Sequence, residues 1–305
     1  MFLKIKISLV LLVLTFTVAF TQTNDEIFAE QEQELKQLFD SAFAFDSTKY
    51  YKSDIEKKEL NTQIIEIFDE ILEDENSFKY PFDSLKNIGI RFSDDKLLKI
   101  YTWNLIFTDG TYKYFGYIQY LLKSKKKIKT FKLIDRSDEI SEPLNVYLKD
   151  TNWYGCLYYK ILQNKYAGKK YYTLLGWDGN SYLTTKKIIE ILTFSKSGKP
   201  KFGKSVFKIE KVRSKRLIFE FSNKAVMSLS YDKRLKMIIY DYLSPSKPVQ
   251  KGQYQYYGPD GSYDGLRFSN GKWIHYSNID IIKLKNSNYR AGKPKKGMYQ
   301  PKRIY

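Results

Sequence analysis

Residues 112–122, Tyr-Lys-Tyr-Phe-Gly-Tyr-Ile-Gln-Tyr-Leu-Leu, decide the fold class of this chain of 305 residues. Successive side chains of a strand point to opposite faces, and aromatic and β-branched residues are enriched in strands. One face of this stretch carries Tyr112, Tyr114, Ile118, Tyr120 and Leu122, and the other carries Phe115, Tyr117 and Leu121. Because both faces are mostly apolar or aromatic, the stretch predicts a strand that is covered on both sides.

Ten further stretches beyond residue 88 have the same strand-like character. They are residues 97–107, 153–162, 171–177, 188–194, 205–212, 216–221, 225–231, 235–242, 252–257 and 272–276. Five pairs typical of tight turns accompany them: Asp109-Gly110, Asp178-Gly179, Ser197-Gly198, Asp260-Gly261 and Asn270-Gly271. The pattern predicts a mainly β domain over residues 86–285, built as an antiparallel β-sandwich or two packed sheets. An open, strongly curved sheet is the alternative, and the irregular turn spacing does not indicate a propeller.

The N-terminal part of the chain shows a helical period instead. Apolar residues recur at helical spacing in residues 28–42 and again in residues 60–72. Asn24-Asp25 is the predicted N-terminal cap of the first helix, and the second helix is predicted to start near Ser53-Asp54. The sequence therefore predicts a helical hairpin over residues 23–85 whose apolar stripes need the β domain as a partner.

Charge is divided unevenly along the chain. Residues 24–83 hold 17 acidic and 6 basic residues, a net charge of −11, whereas residues 84–305 hold 17 acidic and 44 basic residues, a net charge of +27. The total of +18 is by itself a weak signal, because A/T-rich codons favour lysine. Arginine, which reads phosphate and guanine bidentately, is scarce, and this argues against specific nucleic-acid recognition.

Both ends of the chain have distinctive sequences. In residues 1–22, Lys4 and Lys6 precede an uncharged apolar run that leads to Thr21, the pattern of a secretory signal peptide. The run is too short for a bilayer core of about 30 Å, so no membrane span is predicted. Residues 286–305 lose periodicity and predict a basic, extended tail. We therefore expect an exported protein, periplasmic or secreted.

Most enzyme site patterns are missing from the sequence. The single histidine, His275, excludes an HExxH zinc site, and the sequence contains no Gly-x-Ser-x-Gly elbow or phosphate-binding glycine loop. The single cysteine, Cys156, lies in an apolar run and is predicted to be a buried, inert thiol. No catalytic residue, cofactor or metal site is predicted, and these absences favour a binding protein over an enzyme.

Two Asp-Gly loops carry the candidate ligand-binding residues. They are Trp177, Asp178 and Asn180 in the first loop, and Asp260, Tyr263 and Asp264 in the second. A tryptophan ring beside carboxylates offers a sugar a stacking face, and the aspartates of the second loop offer ligands to Ca²⁺. The simpler interpretation is turn chemistry, in which Asp accepts backbone hydrogen bonds and Gly supplies a positive φ. A third alternative pairs Asp178 with Asp264 as the two carboxylates of a glycoside hydrolase.

Five stretches carry a resemblance to known sequences: residues 171–180, 184–190, 235–245, 252–254 and 257–260. The first of them reads Tyr-Tyr-Thr-Leu-Leu-Gly-Trp-Asp-Gly-Asn. On these stretches the chain resembles a group of uncharacterised secreted proteins from the Bacteroidota, over roughly residues 25–285. The resemblance implies the cell envelope of a Gram-negative bacterium, and it implies no activity and no catalytic residues.

The sequence thus predicts an exported, non-catalytic envelope protein that binds a glycan, a polyanion or a protein partner. The expected partners are anionic glycans, lipid headgroups or an envelope protein, and an excess of lysine predicts weak, salt-sensitive attraction to the first two. The alternative is a carboxylate-dependent hydrolase that acts on glycans.

Overall fold

The fold begins with two helices joined as a hairpin. The computed structural model describes residues 23–43, 52–209 and 214–281, so the predicted signal peptide and basic tail lie outside the described residues. The helices are α1 (Asn24–Phe43) and α2 (Asp54–Ile71), and a 3₁₀ turn (Glu75–Phe78) follows them. Within the described part of the chain, no helix is both long and apolar enough to cross a membrane.

The starts of the two helices follow from their capping residues. The second helix starts where predicted, and Ser53 caps it by exchanging hydrogen bonds with Glu56 in a capping box. The predicted cap of α1 is displaced by one residue, because Thr23 exchanges the equivalent hydrogen bonds with Glu26. Asn24 is already the first residue of the helix.

The remaining described residues form fourteen strands. In chain order they are β1 (Gly89–Phe92), β2 (Leu98–Ile106), β3 (Tyr112–Leu122), β4 (Lys127–Ile134), β5 (Leu157–Tyr166), β6 (Lys169–Asp178), β7 (Thr184–Phe194), β8 (Pro200–Phe202), β9 (Phe207–Lys208), β10 (Arg216–Ser222), β11 (Leu229–Asp232), β12 (Met237–Pro245), β13 (Tyr257–Ser269) and β14 (Lys272–Tyr276). The first sheet has the order β1-β2-β3-β4, the second β10-β7-β6-β5 with β8 on β7, and the third β11-β12-β13-β14-β9. All pairs are antiparallel except the short β9–β14 pair.

The hairpin and the three sheets stack as successive layers. Successive side chains of a strand point to opposite faces, so the strands of an inner sheet pack against the layers on both sides. Between the hairpin and the first sheet lie Leu35, Phe68, Tyr101, Trp103 and Tyr117. Between the first and second sheets lie Ile100, Ile118, Tyr158, Leu174 and Ile188. Between the second and third sheets lie Leu175, Ile189, Leu217, Ile238 and Trp273.

The predicted architecture is confirmed: the protein is mainly β, with packed antiparallel sheets and an N-terminal helical hairpin. Cys156 is buried, as predicted. Two local predictions are wrong. The sequence predicts a strand over residues 252–257, but Tyr254–Tyr256 form a 3₁₀ turn and only Tyr257 belongs to a strand. Asp260-Gly261 is not a hairpin turn, because it lies in a bulge within β13 where Gly261 has a φ of +89°.

Candidate functional site

The first of the two predicted loops is tied into the protein by its own polar groups. Asp178 is buried at the end of β6, where its Oδ1 accepts hydrogen bonds from the Tyr114 hydroxyl and the Asn180 amide, each at 2.8 Å. Burial raises the pKa of the Asp178 carboxyl, and the nearby Lys186 opposes this rise. Asn180 accepts from Lys186 at 2.6 Å and donates to Thr184. These contacts are those of an ordered turn, and Trp177 beside them is half-buried.

The second predicted loop divides into an exposed and a buried part. Asp260 lies in the bulge of β13, where its side chain accepts from the amide and hydroxyl of Ser262. Tyr263 is exposed, whereas Asp264 is buried and lies 3.0 Å from the Nε2 atom of His275. The single histidine is therefore held within the protein beside a carboxylate.

The structure does not bring the two loops together. Asp178 faces the first sheet through Tyr114, whereas Asp264 belongs to the third sheet, which packs on the opposite face of the second. The second sheet therefore separates the two carboxyl groups. A hydrolase that used both of them would need them on either side of one substrate bond.

A different surface collects charge from two hairpin tips that are distant in sequence. We call it the lysine surface and define it by seven residues: Lys123, Lys125, Lys126, Lys127, Lys129, Lys196 and Lys199. The first five lie on the β3–β4 hairpin, and the last two lie in the turn between β7 and β8. All are exposed except Lys129, which is half-buried.

Aromatic and glycine contacts hold the two tips against each other. The rings of Tyr120 on β3 and Phe194 on β7 stack with centroids 3.7 Å apart and planes 5° apart. At the turn, a Cβ added to Gly198 would lie 3.2 Å from the Lys129 side chain and 3.7 Å from Leu122. Gly198 also has a φ of +83°, which L side chains rarely adopt. These contacts hold the β3–β4 tip and the β7–β8 turn next to each other.

The lysine surface lacks close carboxylate partners in the described part of the chain. None of its seven lysines forms an ion pair with a carboxylate of the described residues. No acidic residue occurs between Asp109 and Asp135 or between Glu190 and Glu210. Like charges at this density repel one another, so a bound polyanion would relieve that repulsion.

The run of residues 123–127 is visible in the sequence, but its pattern indicates only a solvated hairpin tip. Lys196 and Lys199 carry no separate signal, because their proximity to that tip depends on how the first two sheets pack. Comparison with known proteins adds nothing to this geometry, since no family model, curated protein or solved structure matches the chain. The function is therefore argued from the residues themselves.

Proposed function

We propose that the protein is an exported, non-catalytic protein of the cell envelope that binds an anionic glycan or anionic lipid headgroups at the lysine surface. The observation that carries the proposal is the juxtaposition of two hairpin tips whose seven lysines have no carboxylate partner in the described chain. Two separate segments contribute to one positive surface, which supports a role beyond the general lysine content of the chain.

The chemistry of the lysine surface indicates how such binding would behave. Lysine ammonium groups are compact, mobile point charges, whereas arginine provides the planar fork that reads a defined anion. Binding should therefore depend on the charge density of the ligand and little on its sequence or stereochemistry. It should also weaken with salt, because the Debye length falls from about 10 Å at 0.1 M to about 3 Å at 1 M.

No observation favours the alternative, a hydrolase that uses Asp178 and Asp264. Both carboxyl groups are buried, and each is engaged by partners within the chain. The second sheet separates them, as described above.

The test compares two variants that change the net charge equally. In the first, Lys125, Lys126 and Lys196 of the lysine surface are each changed to Glu. In the second, the same change is made at Lys233, Lys247 and Lys251, which are exposed residues of the third-sheet region. Calorimetry measures the affinity of each variant for dextran sulfate, and vesicle sedimentation measures its affinity for anionic phospholipid.

A lysine near an anionic surface contributes about 1 kcal/mol, so the first variant should lose at least about tenfold in affinity. The second variant should lose less than about threefold, because its changes lie away from the lysine surface. Loss with dextran sulfate alone would assign a glycan, and loss with vesicles alone would assign a lipid surface. Equal losses for both variants would show that net charge alone drives adsorption, and the proposal would fail.

A further inference from the structure

The turn between β6 and β7 holds a lysine amine against an amide side chain. Lys186 on β7 donates from Nζ to the Oδ1 atom of Asn180 at 2.6 Å. Because a C=O bond is about 1.2 Å long, Nζ lies at most about 3.8 Å from the Cγ atom of Asn180. Reacting atoms in a near-attack arrangement are about 3–3.5 Å apart. A small rotation of the flexible lysine side chain therefore takes the amine from the amide oxygen to a position above the amide carbon.

Two carboxyl groups flank this lysine in the second sheet. Lys186 lies directly opposite Asp178 on β6 and directly opposite Glu220 on β10. Side chains that are directly opposite point to the same face, with Cβ atoms about 5 Å apart. Within the described chain, however, Nζ forms no ion pair with either carboxylate. It contacts the neutral amide instead, and charge pairing does not explain this arrangement.

Glu220 also contacts the nitrogen of the same amide. The Nδ2 atom of Asn180 donates to Oε1 of Glu220 at 3.4 Å and to the Thr184 hydroxyl at 2.6 Å. The Thr184 hydroxyl donates to the same Oε1 atom at 2.7 Å. The amide nitrogen is therefore connected to one carboxylate both directly and through a hydroxyl, which gives a route for a proton.

The surroundings hold these groups in place. Asp178 and Thr184 are buried, and Asn180, Lys186 and Glu220 are half-buried. The backbone amide of Asn180 donates to Asp178 at 2.8 Å, which fixes the start of the turn. Holding two reactants in one geometry replaces a bimolecular encounter by an intramolecular one and can supply a large part of a reaction barrier.

We propose that Lys186 and Asn180 join in an intramolecular isopeptide bond, so that the β6–β7 turn is a self-modifying site. Lys186 gives one proton to Glu220 as its amine turns toward Cγ. The Nζ lone pair then forms a bond to Cγ, and the electrons of the C=O π bond move to Oδ1. Both nitrogens are bonded to Cγ in this adduct, so Glu220, which contacts one of them, also reaches the other.

The adduct then collapses with loss of ammonia. Glu220 delivers its proton to Nδ2 while the C=O bond re-forms and the Cγ–Nδ2 bond breaks. Nδ2 leaves as ammonia, which takes up the second proton of Nζ and departs as ammonium. The products are a secondary amide and ammonium, and Glu220 is again a carboxylate. No atom changes its oxidation state, so the reaction needs no co-reactant.

The bond would close a covalent loop around an exposed part of the chain. Tyr182 and Leu183 lie between the two joined residues and are 63% and 59% exposed. A chain that is cut at this turn would therefore stay joined through the side chains. The single cysteine cannot supply such a link within the chain. No residue of the lysine surface takes part, so this inference and the proposed function fail independently.

The test is peptide mapping of the denatured, full-length protein. Chymotrypsin cleaves after Tyr182 and Leu183, which separates Asn180 from Lys186 along the backbone. The two peptides should stay joined as the main product, with a combined mass lower by one ammonia molecule, and fragmentation should place the link at Asn180 and Lys186. A succinimide at Asn180 also loses ammonia, but it leaves the two peptides separate.

Three variants test the assigned roles. Lys186→Arg keeps the positive charge but lacks the primary amine, so the two peptides should separate. Lys187→Arg is its matched control and should keep the link, because this neighbouring lysine points to the opposite face of β7. Glu220→Gln removes the proton carrier and should slow linkage at least about 100-fold in pulse-labelled protein.

Two mapping results would overturn the inference. The first is separate peptides as the main product of the wild-type protein, whether Asn180 is intact or a succinimide. The second is a joined pair in Lys186→Arg, since the link would then use another residue. A folded Glu220→Gln variant that links at the wild-type rate would overturn the assigned proton route. The thermal midpoint checks that each variant folds, and the wild-type map decides the question where one does not.

Discussion

Lys99 is a buried charge whose removal should change the pH dependence of stability. It lies on β2 beneath the hairpin layer and is fully buried. Its amine donates to the backbone carbonyls of Ser77 and Tyr80 and lies 4.7–4.9 Å from the ring centres of Phe82, Phe92 and Tyr101. Burial lowers the pKa of Lys99 from 10.5 to about 7, and the negative charges of Glu32 and Asp83 oppose this effect.

The expected magnitude follows from the two pKa values. The difference between 10.5 and about 7 corresponds, at about 1.4 kcal/mol for each pH unit, to about 5 kcal/mol of destabilisation when the amine is charged. Between these values the unfolded chain holds a proton on Lys99 that the folded chain has lost, so the free energy of unfolding rises with pH. From pH 6 to pH 9 the contribution of Lys99 should rise by about 3 kcal/mol.

The assay is urea unfolding of the wild-type protein and Lys99→Met at both pH values. The stability of Lys99→Met relative to wild type should fall by about 3 kcal/mol between pH 6 and pH 9, which corresponds to about 1 M urea in the unfolding midpoint. Loss of the hydrogen bonds to Ser77 and Tyr80 adds an offset that does not vary with pH. The exposed Lys165→Met serves as the control and should show no such change. A stability difference for Lys99→Met that is the same at both pH values would refute the argument.

Two further predictions concern the hairpin and the first Asp-Gly loop. Phe68 is fully buried and contacts Trp103 and Tyr117, so Phe68→Ala should cost about 3–5 kcal/mol in urea unfolding, whereas the 68% exposed Ile55→Ala should cost little. An equal cost at both positions would show that apolar burial does not hold the hairpin. Asp178→Asn should lower stability by about 1 kcal/mol and leave dextran sulfate binding unchanged, because its partners belong to a turn. Loss of dextran sulfate binding with unchanged stability would instead indicate that Asp178 belongs to a ligand site.

The sequence predicts the layers well because each is encoded by a local period. The apolar spacing of α1 and α2 and the alternation in β3 survive in the structure unchanged. Errors arise where one residue type serves two roles. Asp260-Gly261 has the composition of a hairpin turn, but the same positive φ at Gly261 also permits a bulge inside β13. The lysines at the start of β4 have the composition of a solvated loop, so the sequence does not indicate this edge strand.

The lysine surface shows why the site is harder to predict than the fold. The turn that carries Lys196 and Lys199 lies some 70 residues beyond the β3–β4 tip, and the stack of Tyr120 on Phe194 brings them together. No single-sequence pattern reports such a contact between two sheets. The predicted loop residues Asp178 and Asp264 have the right chemistry for a site. Both are buried in different layers, however, and their carboxyl groups contact Tyr114 and His275 within the protein.

The most direct test of the lysine surface is a protection measurement on the unmodified protein. A limiting acetylating reagent is applied with and without dextran sulfate, and mass spectrometry quantifies modification at each lysine. The account predicts that the polyanion protects Lys125, Lys126 and Lys196, while Lys233 and Lys247 react at the same rate in both samples. Equal protection at all five lysines, or protection at the last two alone, would contradict it.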